Sequence, residues 1–98
     1  MFNEVQILMN ANGMPVFAVP YDVSGKNIEV IVDDNDLCFY DGTQKIGLIK
    51  NVDEILLTAL TLHNQVGVFS HRSELEDYPE MITQFAPIHD LQTNQASL

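Results

Sequence analysis

The chain has 98 residues and carries fourteen Asp and Glu against four Lys and Arg, a formal net charge of -10. DNA, RNA and anionic membranes repel such a surface unless a basic patch overrides the field, and Lys26, Lys45, Lys50 and Arg72 stand singly. A chain this short supports one core, and at 46% apolar and 18% charged it lacks the composition of a disordered segment.

The first stretch, Met1 to Val19, is fairly apolar but holds Glu4, Gln6, Asn10 and Asn12, with no Lys or Arg ahead of it. It therefore reads as neither a secretory signal nor a membrane span. Val5, Ile7 and Met9 alternate with Glu4, Gln6 and Leu8, a period of two that predicts a strand. Asn10 to Gly13 supplies turn residues, and the next run, Met14 to Val19, is bracketed by Pro15 and Pro20. Because proline removes a ladder donor, this second strand is expected at a sheet edge.

Ser24 to Asn27 reads as a turn before Ile28–Val32, whose β-branched density gives the clearest strand in the chain. Asp33, Asp34, Asn35 and Asp36 form a short acidic turn into Leu37–Tyr40, so the two runs make a hairpin. Asp41 and Gly42 turn the chain again, and Lys45–Ile49 adds a strand. These runs predict an antiparallel meander.

At Asp53 the period changes. Asp53 suits an N-cap and Glu54 the first turn, while Ile55, Leu56, Ala59, Leu60, Leu62, His63 and Val66 recur at helical spacing. Glu54, Thr58, Thr61 and Gln65 fall on the other side. Gly67 is expected beyond the end, and the helix is expected to lie across the sheet as the lid of the core. Val66 to Ser70 reads equally as a short strand or a loop. Ser73 with Glu76 has capping-box spacing, and Pro79 starts a second short helix, Glu80 to Phe85, which Pro87 stops. The expected fold class is thus α+β: an antiparallel β-meander of about four to five strands packed against one main amphipathic helix, with a second short C-terminal helix. Residues 1–90 form the single domain and 91–98 a flexible tail.

The acidic turn Asp33, Asp34, Asp36 invites a calcium reading, yet Leu37, Cys38 and Phe39 stand where an EF-hand loop needs ligands or glycine. Its ordinary reading is a solvated turn whose like charges discourage edge pairing. A second acidic group comprises Glu74, Glu76, Asp77 and Glu80; with Asp90, residues 73–98 hold five acids and no Lys or Arg. Helix-start electrostatics accounts for part of this group, and docking onto a basic protein surface is the functional alternative.

Ser70, His71, Arg72 and Ser73 gather hydroxyls, an imidazole and a guanidinium where a small anion could bind; local pairing of Arg72 with Glu74 or Glu76 is the plainer account. His63, His71 and His89 show no zinc spacing, and His63 falls on the apolar side of the helix as a partly buried packing residue. Cys38, the single cysteine, lies in a predicted strand among apolar neighbours, where thiols are inert, and a reducing, cytoplasmic setting fits. The glycines never cluster into a phosphate loop.

These features predict a protein that is not an enzyme and uses no metal or cofactor. It is expected to bind another protein with a basic surface, as an adaptor, inhibitor or immunity-type factor, with mimicry of nucleic acid as a special case. Asp33, Asp34, Asp36, Glu74, Glu76, Asp77 and Glu80 are the expected contact residues. The alternative is a small homodimeric regulatory or ligand-binding domain whose acidity serves solubility alone.

Overall fold

A computed structural model describes residues 5–9, 15–70 and 84–90. Among these residues the chain forms β1 (Gln6–Met9), β2 (Pro15–Val19), β3 (Ile28–Asp33), β4 (Asp36–Asp41), β5 (Gln44–Ile49), α1 (Glu54–His63), β6 (Gln65–Ser70) and β7 (Gln84–Asp90). The strands make one mixed sheet in the order β1-β2-β6-β7-β3-β4-β5. The expected antiparallel meander of four to five strands with two helices is therefore replaced, among the described residues, by a mixed sheet of seven strands and one short helix.

Local chemistry builds the hairpins as expected. Asp33 pairs with Asp36, leaving Asp34 and Asn35 as the turn, and Asp34 takes φ 60°, a conformation that Asp tolerates better than most residues. Asp41 pairs with Gln44 around Gly42 at φ 61°. What the meander reading lacks is long-range pairing. β6 lies parallel to β2, with Val16 opposite Gly67, and β7 lies parallel to β3, with Val30 opposite Ile88. The last two strands thus join an N-terminal hairpin to the β3–β5 meander.

Three corrections concern proline and helix ends. β2 is interior, between β1 and β6, because Pro15 occupies the first strand position and Pro20 follows the last. Pro87 stops no helix: Gln84 and Phe85, expected at the end of the second helix, begin β7, and the rest of that helix lies outside the described residues. β7 changes partner at Pro87, pairing with β6 over residues 84–87 and with β3 over 88–90. A proline is tolerated there because the ladder switches sides, and the next N–H, of Ile88, donates to the Asn64 carbonyl at 2.9 Å. α1 ends earlier than its apolar spacing implies, at Asn64 with φ 64°, so Val66 and Gly67 belong to β6.

Curling of the sheet makes the interior. Phe17 on β2 and Phe39 on β4 are far apart in strand order, yet their rings meet edge to face at 5.3 Å. Val19, Ile28, Val30, Val32, Leu37, Val66 and Val68 surround them, and Leu57 and Leu60 of α1 close one side. A smaller cluster, Val16, Ala18 and Phe69 with Leu8, lies apart from this core, formed by residues that alternate along β2 and β6 with the core's Phe17 and Val68. The helix is less deeply seated than a lid: Leu57 and Leu60 are buried, but Ile55 is 79% and Leu62 77% exposed. His63 is exposed as well, and not a packing residue.

Candidate functional site

At one end of the curled sheet three separate segments bring carboxylates together. The first is the β3–β4 turn with Asp33, Asp34 and Asp36. The second is the segment 50–54, held against that turn by two hydrogen bonds: Asn51 N–H donates to Asp36 Oδ1 at 3.1 Å, and Val52 N–H donates to the Asn35 carbonyl at 2.7 Å. This docking sets the start of α1, where Asp53 Oδ1 accepts from Ile55 N–H at 2.9 Å and Glu54 follows in the first turn. The third is the end of β7, where Asp90 lies opposite Val32 on β3. Six carboxylates, Asp33, Asp34, Asp36, Asp53, Glu54 and Asp90, thus share one end with Lys50.

Between these segments runs a groove of about 160 Å³, lined by Val32, Asp34, Asn35, Glu54, Leu57, Thr58, Thr61 and Asp90. Its apolar floor is Val32 and Leu57. Its wall on α1 is the polar face Glu54, Thr58 and Thr61, spaced four and three residues apart. Thr58 Oγ donates to the Glu54 carbonyl and Thr61 Oγ to the Thr58 carbonyl, each at 3.0 Å. With those protons committed to the backbone, the hydroxyls present lone pairs outward, and the groove offers acceptors from both carboxylate and hydroxyl groups. Its volume is below the roughly 300–1,000 Å³ of small-molecule pockets and suits the end of a single cationic side chain. The carboxylates do not converge as a chelate: among the described residues no three His, Cys, Asp or Glu groups are placed to hold a metal ion.

Carboxylates elsewhere make structural contacts too, as Asp36 and Asp53 do at this end. Tyr21 donates to Asp41 Oδ2 at 3.0 Å, Glu29 Oε2 lies 3.5 Å from His89 Nε2, and Asp22 Oδ1 accepts from Ser24 N–H at 3.0 Å. The Asp41 bond raises the Tyr21 phenol above its usual value. Cys38 sits buried on β4 between Ile31 and Leu48, and burial pushes its thiol up, the direction opposite to that of an activated nucleophile.

Of the expected contact residues, Asp33, Asp34 and Asp36 lie at this end, and Glu74, Glu76, Asp77 and Glu80 lie outside the described residues. From the anion loop only Ser70 is described; it ends β6, buried, with its hydroxyl accepting from Val23 N–H at 3.1 Å and lying 3.5 Å from Asp22 Oδ1. His71, Arg72 and Ser73 are outside the described residues. Asp53, Glu54 and Asp90 join the acidic end unforeseen. The first two were legible only as a helix start, and Asp90 depends on the β3–β7 pairing, for which no local signal exists.

Comparison with protein-family models, with characterised proteins and with solved structures finds no match. Among the described residues no helix is long and apolar enough to cross a membrane.

Proposed function

We infer that this protein acts by binding, with its acidic end docking on a basic surface of another protein. The observation that carries the reading is the convergence of three chain segments, distant in sequence, on one acceptor-lined groove. A field of this sign accelerates encounter with a basic partner, and the association weakens as salt screens it over a few ångströms. The groove then fixes orientation by receiving a Lys or Arg side chain, whose donors meet carboxylate and hydroxyl oxygens at once. Burial of Cys38, the single thiol, pushes its pKa up and argues against a cysteine nucleophile.

The test is capture from the native host's lysate at about 50 mM and about 500 mM salt, using wild type and the triple variant Asp34→Asn, Glu54→Gln, Asp90→Asn. Basic proteins retained by wild type at low salt, released at high salt and missed by the variant are the expected result. Equal retention by the variant contradicts it. The exposure of Ile55 and Leu62 favours a second reading, a homodimer in which acidity serves solubility alone. A charge of -10 on each copy opposes that association, and sedimentation at micromolar concentration separates the two.

A further inference from the structure

We propose that the partner of the acidic end is a cationic amphipathic segment, one that lays an apolar face along α1 and directs a Lys or Arg into the groove. The proposal rests on the docking reading above and names its partner class.

It starts from a ridge that the fold leaves uncovered. Ile55 and Leu62 are seven residues apart on α1, so they stand on one helix face, roughly 10 Å apart along the axis. Both are more than three-quarters exposed, at 79% and 77%, whereas Leu57 and Leu60 on the opposite side are buried. Glu54 and Thr61 immediately precede Ile55 and Leu62, so the groove wall and the ridge are neighbouring faces of the same helix, turned by about 100°. Two unlike surfaces therefore adjoin: an aliphatic ridge and a groove of acceptors bearing Asp34, Glu54 and Asp90.

A wholly polar cationic partner would leave the ridge in water, and a wholly apolar one would strip water from the carboxylates without replacing it. A segment with apolar residues on one face and Lys or Arg on the flank satisfies both, in the manner of a helix laid along a groove. Charge decides against a second copy of this chain as the occupant. Antiparallel pairing of two α1 helices sets only His63 against each acidic helix start, because α1 carries no Lys or Arg, and it brings together two copies that each carry a net charge of -10.

Fluorescence anisotropy with three labelled probes tests the proposal: a Leu/Lys peptide with leucines at helical spacing, a scrambled peptide of the same composition, and oligolysine. Wild type is expected to bind the amphipathic peptide at least about tenfold more tightly than the scramble. Ile55→Gln with Leu62→Gln should abolish that preference and leave oligolysine binding unchanged, since Gln keeps helix propensity at exposed sites. Replacing the peptide's leucines by Gln should remove the same factor with wild-type protein, a readout independent of the variant's folding.

Equal binding of amphipathic and scrambled peptides, or a preference that survives in the Gln variant, overturns the proposal while sparing the docking reading. Oligolysine binding that is absent, or that persists in the variant Asp34→Asn, Glu54→Gln, Asp90→Asn, overturns both. A wild-type dimer that dissociates in the Gln variant, with no peptide bound, assigns the ridge to a second copy and also overturns it.

Discussion

A Cβ added to Gly47 would fall 2.7 Å from Val5 Cγ2, so β5, at one edge of the sheet, touches the residue that leads into β1, at the other edge. This contact marks how far the sheet has curled, and it needs a glycine for its close approach, φ at this position being unremarkable. Gly47→Ala should destabilise the protein by about 1–3 kcal/mol through overpacking. Val5→Ala should recover part of that loss, so a double-mutant cycle by urea denaturation should show non-additivity; strict additivity would mean the two edges are independent.

The Phe17–Phe39 contact spans the interior that this curling creates. Either ring truncated to Ala should cost about 3–5 kcal/mol, and the pair should couple by roughly 0.5–1.5 kcal/mol beyond their separate burial. Thermal unfolding of the two single variants and the double variant checks this.

Much of this architecture was legible in local chemistry. The β3–β4 and β4–β5 turns, the Asp53 cap and the polar helix face Glu54, Thr58, Thr61 follow from residue types a few positions apart. The mixed sheet was not legible, because the β2–β6 and β3–β7 ladders join segments 51 and 58 residues apart whose apolar runs suit several partners. Pro87 misled for a related reason: a strand that changes partner in its middle removes the usual objection to proline, and only the pairing reveals the change. The candidate groove was half visible, through Asp34 and the helix face; Asp90 reached it only through the fold.

The helix boundaries supply three contrasting variants. Asp53→Ala removes the acceptor for Ile55 N–H and should cost about 1 kcal/mol. Asn64→Ala forces a side chain without local hydrogen bonding into φ 64° and should cost roughly 1–2 kcal/mol, whereas Asn64→Gly should lose nothing. Urea midpoints of the three variants give the order directly.

Alkaline stability should report the Tyr21–Asp41 bond. Hydrogen bonding to the Asp41 carboxylate favours the protonated phenol and raises its folded pKa above 10.0. The folded state therefore holds that proton more tightly than the unfolded state, and the contribution is complete below about pH 10 and lost as pH rises through the folded value. Tyr21→Phe should be less stable than wild type at neutral pH and show a shallower decline between about pH 9 and pH 11. Parallel curves for the two proteins would mean that the bond does not form in solution.

Amide chemical-shift mapping during titration with oligolysine tests the docking face most directly. The shifts should concentrate at Asp33–Asp36, at Asn51–Thr61 and at Asp90, and fade as salt is added. Shifts centred instead on Asp22 and Asp41, or spread evenly over the sheet, would show that the acidic end is solvated surface and the groove takes no cation.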